Sequence, residues 1–274
     1  ETNTMMYRIT LDDGRSIDVH DNQVTSVLIN TNPNNTVRWE TCELTADELI
    51  TIPLVHTKKG NRNHRGTSSK HLVFVKNPAP IEYPDKELLI DPYTLGVVLG
   101  DGRIQKPSCS VELTTHIDDL VTYHQEIPYP FGKGRFDKRN PNTWTQSIRG
   151  LGPALKALKL GVHGKEKFIP EAYLLGSIEQ RLALLQGLMD TDGTVSITGR
   201  TVFCSVSPQL LADTERLARS LGATVRRSKK PYCCEIWLNQ PLFRLPRKLG
   251  RQRFDRKADK VAIMSITRIE HALS

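Results

Sequence analysis

Two apolar runs, each interrupted by a glycine and closed by Asp-Gly, stand out in the hydrophobic pattern of the chain, at residues 94–102 and 185–193. If each run is a helix, Gly96 and Gly187 fall on its inner face, where the missing side chain lets two helix backbones approach closely. The pattern therefore predicts a pair of helices in close contact.

The acids that close the two runs, Asp101 and Asp192, then emerge side by side at the ends of the paired helices. Each acid is followed by a glycine, which permits a left-handed C-terminal turn. Two carboxylates brought together must protonate or share cations, so the arrangement predicts a divalent-metal site. Asp190 points about 200° away from Asp192 on a helix and is predicted to be a capping or supporting group.

The pattern around each run repeats. Residues 88–176 and 177–260 both read in the order helix, strands, helix, strands, helix. The first motif helix begins with an N-cap followed by Pro92, and the second begins at Ser177 with a capping box to Gln180. Each half supplies roughly four strands with one face on helices and the other open. Two such sheets are predicted to form a curved trough.

The composition of the chain indicates which class of molecule it binds. The 274 residues carry a net charge of +8 and a sequence pI of about 9.3. Such a basic surplus suits a polyanion, either nucleic acid or an acidic membrane, although a solvated basic surface has the same composition. No apolar run approaches the length of a membrane span and no signal-like pattern opens the chain, so a cytoplasmic location without membrane contact is expected.

The cysteines point to the same compartment. Their number is odd and none form a C-x-x-C pair, which argues against a disulfide framework and a structural zinc site and indicates a reducing interior. The five residues are Cys42, Cys109, Cys204, Cys233 and Cys234.

The two apolar runs resemble the paired motifs of the LAGLIDADG homing endonucleases, in the two-motif monomeric type. The resemblance implies an α+β fold of two pseudo-symmetric αββαββα repeats, packed through the motif helices to form a saddle of two antiparallel sheets. It implies a monomeric endodeoxyribonuclease that cuts both strands of double-stranded DNA at one long site. Mg²⁺ is the implied cofactor, Mn²⁺ a possible substitute, and Ca²⁺ is expected to support binding only.

The opening of the chain resembles the splicing domain of inteins, because residues 13–19 fit a DG-R-x-I-x-V hairpin. His20 and Gln23 stand where that domain has its Thr-x-x-His block. Glu1 stands where an intein needs Cys or Ser, and Ser274 ends the sequence without a terminal His-Asn. We therefore expect an intein-encoded enzyme with remnants of a splicing domain, and no self-splicing by this chain alone.

Together these patterns divide the chain into five predicted parts. They are a partial splicing-type β segment at 1–55, a basic linker or DNA-contacting arm at 56–87, the first repeat at 88–176, the second repeat at 177–260, and a return strand toward the splicing domain at 261–274. The basic part is either a solvated, mobile run or an arm that follows phosphates.

The resemblance also implies a lysine near each acid. In intein-borne members one lysine precedes an Ile-Pro pair, and Lys167 matches it. Aligning the two halves places Lys167 on Lys257, with Lys248 and Arg256 as alternatives. The predicted catalytic residues are thus Asp101, Asp192, Lys167 and Lys257, and the predicted metal ligands are Asp101, Asp192, Gly100 and Thr191.

Polar residues on the predicted open faces of the sheets are candidates for DNA contact. On a β-ribbon, Arg and Gln reach base edges in the major groove, whereas Lys mainly meets phosphate. The predicted DNA-binding residues are Arg103, Gln105, Lys106, Arg135, Lys138, Arg139, Trp144 and Gln146 in the first half, and Thr194, Ser196, Thr198, Arg200, Arg226, Arg227, Lys229, Lys230 and Tyr232 in the second.

Three other functions fit parts of the pattern. A DNA-binding protein of the same fold that has lost cleavage is disfavoured by the presence of both motif acids. An RNA maturase on the same scaffold is disfavoured by the intein-like ends. Protein splicing is disfavoured by the missing nucleophile and terminal asparagine.

Overall fold

The computed structural model describes residues 5–34, 37–59, 67–138, 140–228, 230–254 and 259–269. They form an α+β structure whose sheets are antiparallel, in agreement with the predicted α+β class. The chain divides into two compact units, one of residues 1–78 with 259–274 and one of residues 79–258.

The first unit is mainly β. Its elements are β1 (Met6–Leu11), β2 (Ser16–His20), β3 (Thr25–Asn30), β4 (Trp39–Leu44), α1 (Ala46–Leu49), β5 (Val55–Lys59), β6 (Thr67–His71), β7 (Val73–Lys76) and β16 (Lys260–Ile269). One six-stranded sheet has the order β2-β1-β16-β7-β3-β4, and β5 and β6 form a separate hairpin. The period-two pattern of β1 buries Tyr7, Ile9 and Leu11 in the core of this unit.

The second unit holds both apolar runs. Its elements are α2 (Pro92–Gly100), β8 (Gly102–Gln105), β9 (Ser110–His116), α3 (Leu120–Glu126), β10 (Arg135–Phe136), β11 (Thr143–Ile148), α4 (Gly152–Ala157), α5 (Glu171–Leu174), α6 (Ile178–Thr191), β12 (Gly193–Val195), β13 (Thr201–Cys204), α7 (Pro208–Ser220), β14 (Thr224–Arg227), β15 (Cys233–Trp237) and α8 (Pro246–Leu249). Its two four-stranded sheets have the orders β10-β11-β9-β8 and β12-β13-β15-β14.

The predicted helix starts are confirmed. The Asp91 carboxylate accepts a hydrogen bond from the backbone N–H of Thr94 at 2.8 Å and caps α2. Ser177 and Gln180 form a reciprocal capping box at the start of α6. Each cap satisfies a backbone donor that has no partner within its helix, so both helices begin where the sequence indicates.

The two motif helices are in direct backbone contact through their glycines. A Cβ built on Gly96 would lie 2.9 Å from Gly187 Cα, and one built on Gly187 would lie 2.8 Å from the backbone nitrogen of Val97. Real Cβ atoms do not approach backbone this closely, so only glycine fits at either position. Leu95, Leu99 and other fully buried residues of both helices then join the strands of both sheets in one core.

The expectation about cysteines is wrong for one pair. Cys204 and Cys233 lie opposite each other on β13 and β15 and form a disulfide across a separation of 29 residues. Cys42, Cys109 and Cys234 are free. Because the partners meet only after two strands pair, their sequence spacing carries no sign of the bond.

No helix in the described part of the chain combines the length and apolarity that crossing a bilayer requires.

The glycine contact gives a stability prediction. Gly187→Ala should lower the free energy of unfolding by about 3 kcal/mol, because the new methyl group forces two helix backbones apart. Urea unfolding followed by circular dichroism measures the change. Gly164→Ala is the matched control, since the nearest atom to its Cβ would be Val206 Cγ2 at 3.9 Å. Equal losses in both variants would mean that the helix contact is not tight.

Candidate active site

The two motif acids end their helices in the same way. Asp101 is the C-cap of α2 and Asp192 is the C-cap of α6, both in right-handed backbone conformation. Between them the helix ends touch, because a Cβ on Gly100 would lie 2.6 Å from the Cβ of Thr191. Since Gly100 and Thr191 each directly precede an acid, this contact brings the carboxylates of the two helices to one site.

The glycines after the acids serve a different purpose from the one predicted. Neither Gly102 nor Gly193 has a positive φ, so no left-handed turn follows the helices. Instead a Cβ on Gly102 would lie 2.7 Å from Val98 Cα, and one on Gly193 would lie 2.7 Å from Met189 Cα. The missing side chain lets each chain turn directly from helix into strand against the preceding helical turn.

Burial disfavours the charged forms of both acids. Loss of solvent, together with repulsion from the nearby Asp101 carboxylate, raises the pKa of Asp192 to about 6. Loss of solvent also raises the pKa of Asp101, although its side chain remains exposed. Two lysines, Lys248 and Lys167, oppose these shifts and keep both acids close to their ionised form.

Lys167 caps the end of the first motif helix. Its Nζ donates to the carbonyl oxygens of Val98 at 3.2 Å, Leu99 at 2.9 Å, Gly100 at 3.0 Å and Gly102 at 3.0 Å. The last turn of α2 contains no basic residue, so this ammonium supplies the positive charge that a helix C-terminus favours. The lysine is buried, and burial lowers its pKa.

Lys248 makes the same set of contacts on the second motif helix. Its Nζ donates to the carbonyl oxygens of Met189 at 3.1 Å, Asp190 at 2.6 Å, Thr191 at 3.4 Å and Gly193 at 2.6 Å. Relative to the motif acid, these carbonyls occupy the positions that Lys167 contacts on α2. Burial lowers the pKa of Lys248 to about 8.

Lys257, the predicted counterpart of Lys167, lies outside the described residues, so that assignment stays a prediction. Lys248, one of the two alternatives, occupies the place that corresponds to Lys167. The alignment of the halves assumed a constant shift, which does not match these two lysines. Lys167 lies 66 residues after Asp101, whereas Lys248 lies 56 residues after Asp192.

Each lysine acts more strongly on the acid of the other motif helix. Lys248 lowers the pKa of Asp101 more than Lys167 does, and Lys167 lowers the pKa of Asp192 more than Lys248 does. Lys167 and Asp192 also line one cleft of about 260 Å³, together with Tyr232. The site thus contains two acid–lysine combinations, each of which joins the acid of one motif helix with the lysine that caps the other.

Asp190 supports the site from behind, in agreement with its predicted direction. Its buried carboxylate accepts hydrogen bonds from the Tyr93 hydroxyl at 2.8 Å and from the backbone N–H groups of Arg244 and Leu245. Desolvation outweighs these hydrogen bonds, which lower the pKa of Asp190, and the pKa rises to about 6. Asp190 thereby fixes the backbone that leads into Lys248.

The donor set suits a hard divalent cation. Two carboxylates that repel each other gain from a shared positive ion, and Mg²⁺ is commonly held by one or two carboxylates with water completing its shell. The predicted carbonyl ligands at Gly100 and Thr191 already accept from Lys167 and Lys248. In the described ranges no cluster of three or more His, Cys, Asp or Glu side chains suits a metal, so the acid pair is the candidate.

The first sheet has an open face that carries part of the predicted contact set. Alternation along β8 puts Arg103 and Gln105 on this face, because Ile104 packs into the core. Arg135 joins them through its ion pair with Glu112 at 3.0 Å. Lys106 and Lys138 lie in the turns at the ends of these strands. Arg139 lies outside the described residues.

Two predicted contacts are on the wrong face. Gln146 is buried opposite Leu113, and its amide interacts with His124 of α3 at 2.9 Å. Trp144 points to the same side, where its ring nitrogen donates to Gln146 at 3.3 Å. Both residues therefore belong to the helix-packed face. The neighbouring Thr145 takes the open position instead and interacts with Thr114 at 2.9 Å.

The second sheet repeats this division. Arg226 lies opposite Glu235 and its guanidinium stands 5.2 Å from the ring of Trp237 on the open face. Arg200 forms an ion pair with the same Glu235. Arg227 points to the helix side and pairs with Glu215 of α7 at 2.8 Å, which corrects its predicted place.

The remaining predicted contacts of this half lie on β12 and in the turns that follow β12 and precede β15. Thr194 is exposed on β12, and Ser196 and Thr198 interact within the following turn at 2.8 Å. Lys230 and Tyr232 are exposed in the turn before β15. Lys229 lies outside the described residues.

Comparisons with known proteins support the resemblance for the second half. Residues 179–238 match the model of the family described as LAGLIDADG-like domain, a segment that includes Asp192 and the strands β12 to β15. Such domains bind DNA and are generally nucleases, which supports a homing endonuclease or a related LAGLIDADG DNA-binding protein.

The chain is also similar to a replicative DNA helicase. It is 33% identical over 156 residues to the replicative DNA helicase DnaB of Mycobacterium intracellulare. The alignment covers 57% of this chain but only 23% of the helicase.

The raised pKa of Asp192 predicts a stability gain on its neutralisation. Without metal at pH 8, Asp192→Asn should raise the free energy of unfolding by about 1–2 kcal/mol, because the ionised carboxylate is disfavoured in the folded protein. In the wild type this penalty is removed as the pH falls from about 6 toward the unfolded value. The gain should therefore be about half as large at pH 5.

Urea unfolding in EDTA at both pH values checks this prediction. Asp85→Asn is the control, because Asp85 is exposed and lies outside both motifs. A destabilised Asp192→Asn variant at pH 8 would contradict the electrostatic account of the site.

Proposed function

We propose that this chain is a monomeric, Mg²⁺-dependent, site-specific endonuclease that cuts both strands of double-stranded DNA and is encoded within an intein. The observation that supports this most is the pairing of Asp101 and Asp192 at touching helix ends, each end capped by a buried lysine. A purely structural helix pair has no need of two adjacent carboxylates whose charged forms are disfavoured by the fold.

In this proposal the acids and the lysines have different roles in phosphodiester hydrolysis. Asp101 and Asp192 would hold the cations, with the carbonyls of Gly100 and Thr191 beside them. Bound Mg²⁺ supplies Lewis acidity toward the scissile phosphate and lowers the pKa of bound water. Lys167 and Lys248 keep the acids ionised and add positive charge where the pentacoordinate phosphate gains negative charge. Each acid takes part in cutting one strand of the duplex.

The two halves of the second unit act as pseudo-symmetric repeats in this proposal. Their sheets correspond strand for strand when β8, β9, β11 and β10 are matched to β12, β13, β15 and β14. Gly102 and Gly193 each directly follow their acid, and each pairs across the strands with a buried apolar residue, Leu113 and Phe203 respectively. A duplex with two similar strands is suited to a protein with two similar halves.

The intein origin is supported by the pattern of the helicase match. An alignment that covers more than half of this chain and less than a quarter of the helicase is what a segment carried inside a host protein produces. The 274 residues contain no G-x-x-x-x-G-K-[ST] loop for binding nucleotide phosphates, so helicase chemistry has no support in this sequence. In the first unit, β1 and β16 are hydrogen-bonded neighbours, which supports the interpretation of β16 as a strand that returns to the N-terminal β segment.

A DNA-binding protein without cleavage is the second candidate, because the LAGLIDADG-like match fits it equally. The presence of both acids and both capping lysines favours the enzyme. Binding alone is better served by neutral residues at this place, since carboxylates repel phosphate.

Cleavage of a randomised duplex library tests the proposed function. With Mg²⁺ the wild type should cut at one long site of about 20 base pairs, the length that two such sheets span at about 3.4 Å per pair. With Ca²⁺ it should bind without cutting. Asp101→Asn and Asp192→Asn should bind the same site and fail to make double-strand breaks, whereas Asp85→Asn should cut normally. Selective binding by the wild type without cuts in Mg²⁺ would establish the second candidate instead.

The open face of the first sheet gives an independent prediction. If Arg103 contacts a phosphate, Arg103→Ala should weaken binding and reduce the slope of log K against log salt by about 0.9. Fluorescence anisotropy with the selected duplex between low and moderate salt measures the slope. Arg216→Ala is the matched control, because Arg216 lies on α7 in an exposed ion pair with Glu171. An unchanged slope in Arg103→Ala would remove this residue from the phosphate contacts.

A further inference from the structure

The segment that carries Lys248 is anchored on a helix of the other half. Arg247, its direct neighbour, forms a two-pronged ion pair with Asp119 at 2.7 and 2.6 Å, just before α3. The carboxylate of Asp119 is 4% exposed, whereas the guanidinium of Arg247 is half-exposed. An acid buried this deeply needs its partner, so the pair fixes the backbone next to the lysine.

A second ion pair reinforces the first. Arg244 donates to Glu126 at the end of α3 at 2.5 Å and to Gln186 of α6 at 2.9 Å. Its guanidinium also stands 4.2 Å from the ring of Tyr93. Together with the hydrogen bonds that the Asp190 carboxylate accepts from the backbone N–H groups of Arg244 and Leu245, these contacts hold the segment that leads into Lys248.

The segment that carries Lys167 belongs to the first half and is anchored on α7 of the second half. Ser207, the N-cap of α7, donates its hydroxyl to the carbonyl of Lys167 at 2.6 Å. Asp213 on the same helix accepts from the backbone N–H of Ile169 at 2.9 Å and is itself held by Gln209 at 2.8 Å. Both side chains are buried, so the loop has a fixed path over α7.

We propose that Asp119 with Arg247 positions Lys248, that Asp213 with Ser207 positions Lys167, and that each set controls the cutting of one DNA strand. The inference rests on the proposed function. Each lysine caps the motif helix of its own half while its backbone is held by the second-layer helix of the other half. Loss of one anchor therefore displaces one lysine and leaves the other in place.

Strand-specific cleavage tests the inference. The substrate is a duplex with the selected site and a different fluorophore on each strand. Arg247→Gln should slow the cut in one strand about 10- to 100-fold, because a displacement of about 1 Å at a catalytic group has this effect. Asp213→Ala should slow the other strand. Nicked product should accumulate in both variants, and Arg247→Lys, which keeps the charge, should recover part of the rate.

Two controls separate positioning from general damage. Arg8→Gln removes a two-pronged ion pair with Asp18 in the first unit and should leave both cuts unchanged. Thermal unfolding of each variant shows whether it folds. Equal slowing of both strands by Arg247→Gln would overturn the inference.

Lysine reactivity provides a readout that needs no cleavage. In the wild type, both lysines should react slowly with an acetylating reagent, because each Nζ is buried among four carbonyls. Mass spectrometry should show faster acetylation of Lys248 but not Lys167 in Arg247→Gln. Unchanged labelling of Lys248 would refute the anchor whether or not the protein cuts DNA. If the labelling of both proteins is as expected but the wild type cuts no DNA, the proposed function is refuted and the anchor is not.

Discussion

The contact between the glycines of α2 and α6 forces two carboxylates together, which is unfavourable, and the rest of the second unit has to compensate for this. Backbones that meet at Gly96 and Gly187 carry Asp101 and Asp192 to one place, where loss of solvent and mutual repulsion raise the pKa of Asp192 to about 6. The helix ends add their own negative partial charge to the same spot. The fold therefore needs positive charge there, and the last turns of the two helices contain none.

The lysines meet that need from outside the helices. An ammonium has three protons, yet Lys167 and Lys248 each lie within bonding distance of four carbonyls, so the bonds are shared and the charge is spread over the helix end. Two acids and two lysines leave the site near neutrality before any cation enters. Lysines held in this way stabilise the ionised forms of both acids.

Local features of the second unit were predictable from the sequence, whereas contacts between distant segments were not. The capping box at Ser177 and the close glycines are set by residues within one helix or by its periodicity. Lys248 was only an alternative to Lys257 at that stage, because its partners are 55 to 59 residues away and the two halves differ in length between acid and lysine. The disulfide of Cys204 and Cys233 was missed for the same reason.

The assignment of two β11 residues to the wrong face of the sheet has another cause. Trp144 and Gln146 are polar enough to suggest an open face, yet they pack against α3, where His124 satisfies the Gln146 amide. A buried polar residue with a buried partner looks in sequence like an exposed one. Only the register with β9, which places Gln146 opposite Leu113, distinguishes the two cases.

The corrected assignment of side chains to the two sheet faces changes which charged groups a nucleic acid would meet there. Each open face carries one carboxylate next to arginine, Glu112 with Arg135 and Glu235 with Arg200. A carboxylate repels phosphate, so these positions weaken non-specific attraction to the backbone. The same carboxylate restrains the guanidinium and lowers the entropy lost when its fork meets a base edge. Such a surface favours a sequence that presents matching donors and acceptors in the groove over any duplex that presents charge alone.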